Sequence, residues 1–259
     1  MRIAIIGAGS VGQNLFHGFE LKGIRAELVH ARPLTAEPSA VESIPRADCY
    51  IYTVVDHVLE EVVSKVDAPH AIHLHTSGSM PIEVFGADKP HAGVLYFFQS
   101  FSRTNLIENW ENIPCFIEGK KIDDVAAIYS LAQNLTNRIY ECNQHDRERL
   151  HVAGVFANNY TNLMYRIAAE VLKDTQIPFV ALLPLIDQTA SKLHSLAPRD
   201  AQTGPAQRGD TEVIRHQLEV LSSLRNGEFS AEELGEVYRL LSGIILKTRS
   251  CPTPPTKQE

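Results

Sequence analysis

The chain has 259 residues, 44% of them apolar, enough for one sizeable core and a second smaller one. Its 24 basic and 31 acidic residues are well mixed and leave a formal charge of −7, with no basic tract to track a phosphate backbone, which excludes nucleic acid as a partner. No apolar run approaches the roughly 20 residues of a bilayer span and the N-terminus has no signal-peptide layout, so the expectation is a soluble cytoplasmic protein without a membrane partner.

The first predicted element is a strand, Ile3–Ile6, followed by Gly7-x-Gly9-x-x-Gly12 and a helical pattern through Val11, Leu15, Phe16 and Phe19. Between a strand and a helix, Gly7 permits the tight turn, Gly9 lets backbone amides approach a pyrophosphate, and Gly12 lets helix and strand pack closely. With Ala8, Ser10 and Val11 these glycines form a predicted dinucleotide loop. The second strand, 26–32, ends in His30, Ala31 and Arg32, where a NAD-binding chain usually carries an acidic residue for the ribose hydroxyls. An arginine there suits a 2'-phosphate and favours NADP; the competing reading of Arg32 is a solvated loop charge.

Strand-like runs follow at 48–55, 70–75, 93–98 and 114–118, with helical patterns at 58–66 and 122–135. The alternation predicts an α/β fold, a Rossmann-like, doubly wound, mostly parallel sheet over residues 1–142. Ligands of such sheets lie beyond the carboxyl ends of the strands. Those ends carry Val54-Val55-Asp56, His75-Thr76-Ser77 and Gln99-Ser100, which become candidate crevice residues.

His70, His73, His75 and His91 raise a metal site, but no acidic or thiol partner accompanies them at zinc-like spacing, and no metal is expected. Thr76 and Ser77 lack the G-x-S-x-G setting of a nucleophile. Cys49, Cys115, Cys142 and Cys251 read as reduced thiols, three buried and one in the tail.

At Asn143 the period changes, and residues 143–249 read as an all-helical domain. Asn143 and Asp146 resemble a cap, opening a helix that runs to about Lys173. His151, Asn158 and Asn162 recur on it at helical spacing, with Asn159 and Arg166 beside them. That stripe can hold a substrate, or be a solvated or helix-packing face. Further helices fit 179–196, 211–224 and 231–247.

The intervening stretch "TGPAQRGD", Thr203 to Asp210, interrupts the helices with Gly204-Pro205 and offers Asp210 as the next cap. Arg208 there is a candidate clamp for a carboxylate or phosphate, or else merely pairs with Asp210. The tail, 250–259, is polar and proline-rich and reads as disordered.

In chain order, "IAIIGAGSVG", "HTSGS", "VLYFFQSFS", "HVAGVFANNY" and "TGPAQRGD" resemble the bacterial family classed as NADP-dependent oxidoreductases, which joins a Rossmann-like domain to a helical domain of unknown function. In layout the chain is similar to the superfamily of pyrroline-carboxylate reductase, ketopantoate reductase and the β-hydroxyacid dehydrogenases, with a helical C-terminal domain of the 6-phosphogluconate dehydrogenase kind. The resemblance implies hydride transfer between NADP(H) and a small, often carboxylate-bearing carbonyl or imine. In β-hydroxyacid dehydrogenases a lysine shortly precedes an asparagine pair on the helix opening the second domain; here Val155 stands before Asn158 and Asn159.

His151 lies one turn earlier and is the candidate proton donor, since an imidazole can give up a proton near neutrality. On this reading His75 and Gln99 flank the nicotinamide, Asn158 or Asn159 orients an anionic substrate, Ser100, Asn162 and Thr203 line its site, and Arg208 clamps its charge. A non-catalytic NADP-binding sensor is the alternative. The apolar helical half suggests a homodimer.

Overall fold

The computed structural model describes residues 1–31, 44–225 and 227–249. Arg32, Cys251 and the tail lie outside them. The described residues fall into two compact units, divided between Asn158 and Asn159.

The first unit contains β1 (Ile3–Ile6), α1 (Ser10–Leu21), β2 (Ala26–Val29), β3 (Cys49–Tyr52), α2 (Asp56–Ser64), β4 (Ile72–His75), β5 (Ala92–Phe97), β6 (Cys115–Gly119), α3 (Ile122–Ala132), β7 (Ile139–Glu141) and α4 (Gln144–Gly154). Among the described residues the strands form a seven-stranded sheet in the order β2-β1-β3-β4-β5-β6-β7. All neighbours are parallel except β5 and β6. Crossover helices α1, α2 and α3 make the parallel pairings possible, whereas the segment between β5 and β6 forms no helix and returns the chain antiparallel. The architecture is the expected Rossmann-like, mostly parallel sheet.

Strand residues alternate between two cores. Ile3 and Ile5 join Leu15, Phe19 and Trp110 on one face; Ala4 and Ile6 join Tyr50, Tyr52, Leu59 and Val62 on the other. Burial on both faces is why these strands read as continuous apolar runs. Strand order reverses at β1, between β2 and β3, so the crevice opens at the carboxyl ends of β1 and β3.

The expected boundary at 142/143 differs from the observed division, because α4 packs on the sheet. Its Arg147 is fully buried, ion-paired with Glu118 of β6 and donating from Nη2 to the Met80 carbonyl at 2.7 Å. Gly154 faces Phe98 so closely that a Cβ would lie 2.7 Å from the ring. As expected, Asn143 caps α4, its Oδ1 accepting from the Asp146 amide at 3.0 Å.

The helix expected to run from 143 to about 173 is three stretches: α4, a π-helical segment Val155–Tyr160, and α5 (Thr161–Leu172). The second unit continues with a 3₁₀ turn, Phe179–Leu182, then α6 (Leu183–Ser191), a turn at Lys192–His194, α7 (Pro205–Arg208), α8 (Thr211–Ser223) and α9 (Ala231–Thr248). The single helix expected over 179–196 is divided because Pro184 occupies the first turn of α6, where a proline starts a helix better than it continues one.

Cys49 and Cys115 are buried in the sheet, whereas Cys142, expected to be buried, is half-exposed just past β7. None of the described helices is long and apolar enough to cross a membrane.

Candidate functional site

The first unit contains two cavities that share Thr53 and Val54 in their walls. The larger, about 600 Å³, is lined by Gly7, Ala8, Gly9 and Gln13 of the glycine loop, His30 and Ala31 after β2, Val55 and His57, and Arg103. Of the three glycines, two are demanded by the protein itself. A Cβ on Gly7 (φ 121°) would lie 2.7 Å from the Thr53 carbonyl oxygen, and one on Gly12 would lie 1.8 Å from the Gly7 carbonyl oxygen. Thr53, whose Oγ1 donates to that Gly7 oxygen at 2.6 Å, braces the turn.

Gly9 is different. A Cβ there would meet nothing nearer than 3.8 Å, so it would project into the cavity without touching the fold. Gly9 is also the N-cap of α1 and supplies no capping side chain, which leaves the first-turn amides of Ser10, Val11 and Gly12 unclaimed by any side chain among the described residues. Uncapped amides beside a glycine whose missing side chain leaves space fit a dinucleotide pyrophosphate.

The smaller cavity, about 270 Å³, is lined by Val11, Asp56, Thr76, Ser77, Gly78, Tyr96, Gln99 and His151 among others. Its distinctive feature is a side-chain pair. The Tyr96 hydroxyl lies 3.0 Å from His151 Nδ1, with the rings edge to face. Burial pushes the Tyr96 phenol up to about 12, against a smaller opposing effect of the Arg147 charge. The phenol therefore stays protonated at neutral pH and can donate to Nδ1, leaving Nε2 to carry the ring proton of neutral His151.

One close approach and one helix anchor position His151. A Cβ on Gly78 would lie 2.6 Å from His151 Nδ1, so only a glycine lets the imidazole settle against that loop. One turn earlier on α4, buried Arg147 anchors the helix to β6.

The loop hydroxyls are committed to structure. Ser77 Oγ accepts from the Ser79 and Met80 amides, each at 3.0 Å, and Thr76 Oγ1 donates to the Tyr52 carbonyl at 3.2 Å. Gln99 reaches the wall with its Oε1 accepting from the Ser100 amide at 2.8 Å, while Ser100 itself is outside the lining. His75, expected beside a nicotinamide, is fully buried and is absent from the wall. Its ring stacks on Phe85 and Nδ1 accepts from the Ser77 amide at 3.2 Å. Burial, reinforced by the Arg147 charge, pushes it down to about 3 and keeps it neutral.

His73 is likewise structural, between the Tyr52 hydroxyl and the Ala68 carbonyl, both at 2.9 Å. His91 bonds buried Asp124 at 2.9 Å. No group of three potential metal-ligating side chains occurs among the described residues.

Asn158 closes the first unit and is exposed within the π-helical segment. Asn159, Asn162, Thr203 and Arg208 belong to the second unit and are all exposed. Asp210 caps α8 as expected, its Oδ1 accepting from the Val213 amide at 3.2 Å. No Arg208–Asp210 ion pair forms. Arg166 is engaged within its own unit, paired with Glu228 and lying 5.6 Å over the Phe229 ring.

Residues 113–245 match the family described as Domain of unknown function (DUF2520). A solved structure from Bacteroides fragilis, described as a "putative NADP oxidoreductase", is 35% identical, with a TM-score of 0.83 over 95% of this chain and 98% of that one. A protein from Thermotoga maritima is 16% identical, with a TM-score of 0.71 over 94% of this chain and 99% of that one. A reductive aminase from Aspergillus terreus, solved with NADPH and ethyl levulinate, shares 11% identity and a TM-score of 0.58 over 95% and 93% of the two chains.

The fold is thus that of Rossmann-like oxidoreductases with a helical C-terminal region. This chain belongs to the DUF2520 family and resembles the Bacteroides fragilis protein along nearly its whole length. None of the curated proteins matches it.

Sequence reasoning did not single out Tyr96, Gly78, Thr53, Arg147 or Arg103. Tyr96 had a visible signal, because a tyrosine in an otherwise apolar strand needs a partner for its hydroxyl. Arg147 had none: within "HDRER" one arginine looks like any other on a charged helical turn.

Proposed function

We propose that the protein is an NADPH-dependent oxidoreductase that reduces a small carbonyl or imine at the cavity holding Tyr96 and His151. The observation that carries this reading is the hydrogen-bonded Tyr96–His151 pair in a cavity that shares a wall with the dinucleotide-shaped one. The names of the Bacteroides fragilis and Aspergillus terreus proteins support the same class and cofactor. NADPH, when bound, supplies a hydride. The preference for it over NADH rests on the absence of an acidic residue at His30-Ala31-Arg32.

The protein's own part is proton delivery and orientation. When His151 is charged, Nδ1–H donates to the Tyr96 oxygen and Nε2–H is available for the oxygen or nitrogen that becomes basic as the substrate is reduced. Gly78 and Arg147 hold the imidazole in register with the wall. Asn158, in the π-helical segment that follows α4, orients the substrate.

Calorimetry with NADPH and NADH, followed by turnover of small keto acids and cyclic imines, tests the reading. NADPH binds more tightly than NADH, and His151→Gln lowers kcat by about 10²-fold or more while leaving NADPH affinity unchanged. Unchanged turnover in that variant removes His151 from the mechanism. Selective NADPH binding with no turnover of any substrate of this class favours a sensor.

A further inference from the structure

We propose that Arg103 is the side chain that binds the pyrophosphate of the dinucleotide, an inference that rests on the cofactor reading above. Arg103 lies on the segment between β5 and β6, far in sequence from the glycine loop, yet it lines the same cavity. Its Nη2 sits 4.0 Å from the point where a Gly9 side chain would begin. The space that Gly9 leaves open is therefore bounded on one side by uncapped helix amides and on another by a guanidinium.

The position of Arg103 is built. Asn14 of α1 is fully buried, and its side chain bonds both flanks of the arginine. Nδ2 donates to the Ser102 carbonyl at 2.7 Å, and Oδ1 accepts from the Ile107 amide at 2.9 Å. Within that bracket Ser102 Oγ accepts from the Thr104 amide at 3.2 Å, closing a turn around Arg103.

Trp110, nearly fully buried, anchors the same segment. It packs against Phe97 and Phe101, and at Gly18 it comes so close that a Cβ would lie 2.8 Å from its ring. A buried amide and a tryptophan thus tie the arginine's loop to the helix that carries the glycine motif.

The guanidinium itself makes no hydrogen bond or ion pair among the described residues. Among the described residues lining this cavity, Arg103 is the one lysine or arginine, on a chain whose formal charge is −7. A planar fork beside the N-cap glycine of a helix suits two bridged phosphates. Its place beside Gly9, at the turn rather than at the end of β2, assigns it to the phosphates common to NADPH and NADH. Recognition of the 2'-phosphate falls to the residues after β2.

The test is calorimetry of the wild type, Arg103→Ala and Arg103→Lys with NADPH, NADH and reduced nicotinamide mononucleotide, which lacks the pyrophosphate. Arg103→Ala weakens NADPH and NADH by the same factor, about ten- to a hundred-fold, and leaves the mononucleotide unaffected. Arg103→Lys, which keeps the charge but not the fork, falls between. Because the side chain is exposed and unbonded, both variants unfold at the wild-type temperature.

Equal affinities in wild type and Arg103→Ala overturn the proposal while leaving the cofactor reading intact. So does a loss confined to NADPH, which would move the guanidinium to the 2'-phosphate. A wild type that binds neither dinucleotide overturns the cofactor reading, and this inference with it.

Discussion

The two units handle close contact differently. In the first, Gly7, Gly12, Gly18 and Gly154 each face an atom that a Cβ would strike, and two apolar clusters fill both sides of the sheet. In the second, a Cβ on Gly204 or Gly243 would meet nothing within 4 Å, one on Gly209 or Gly227 would strike only the end of a flexible side chain, Arg249 or Glu170, and the buried apolar side chains are few: Ala206, Leu221 and Leu234 among the described residues. Between α5, α8 and α9 the second unit also holds an apolar cavity of about 400 Å³ lined by Met164, Ile167 and Leu234 among others. Backbone that approaches backbone as tightly as at Gly7 and Gly12 fixes the position of a ligand loop, whereas helices packed through flexible side chains can shift without losing their fold.

The largest effect should come from filling the glycine that lies closest to other backbone. Gly12→Ala puts a methyl 1.8 Å from the Gly7 oxygen and 2.6 Å from Thr53 Oγ1, both part of the turn that shapes the dinucleotide cavity. The first unit should lose about 3 kcal/mol, the upper end for overpacking, and NADPH binding should disappear. Trp110, the chain's one tryptophan and part of the first core, reports that unfolding by fluorescence. A stable variant that still binds NADPH would show that the turn relaxes, and would break the contrast between the units.

That contrast also separates what the amino-acid order reveals from what it hides. The glycine loop, the apolar strands and the caps at Asn143 and Asp210 are local patterns, and each is found where its pattern predicts. β7 escaped because Ile139–Glu141 is three residues long, too short to display a period. The π-helical segment escaped because its apolar spacing still reads as helical. His151 was legible as a polar residue on a helix, but its partner is 55 positions away on β5, a pairing that only the sheet topology creates. Arg103 was hidden for the same reason: its loop is bracketed by Asn14, nearly ninety positions earlier.

A second effect, smaller and conditional on pH, also falls on the first unit. His75 is buried and held at about 3, chiefly by desolvation, and buried His73 is shifted down for the same main reason; the described histidines of the second unit, His194 and His216, are exposed. A histidine whose folded value lies below its unfolded one binds its proton more readily after unfolding. Its contribution is therefore intact above the unfolded value, near 6.5, and is lost as pH falls from there toward 3.

By pH 5 His75 alone should cost the first unit about 2 kcal/mol relative to pH 7. Denaturant unfolding followed by Trp110 fluorescence at the two pH values measures it, and His75→Gln should flatten the dependence by that amount. Parallel losses in wild type and variant would show that some other group governs the acid response.

The smallest effect belongs to the second unit and tests whether the units are energetically separate. Ser230 caps α9 through a reciprocal pair: its Oγ accepts from the Glu233 amide at 3.2 Å, and Glu233 Oε2 accepts from the Ser230 amide at 2.8 Å. Ser230→Ala removes the first bond and leaves a first-turn amide to water, a loss of about 1 kcal/mol. The residue touches none of the cavities described above, so NADPH affinity should not change. With Trp110 reporting the first unit and far-ultraviolet circular dichroism weighted toward the helices of the second, the dichroism transition should move to lower denaturant while the fluorescence transition stays in place. If both move together, the units unfold as one, and the looser packing of the helical half is stabilised by the sheet rather than independent of it.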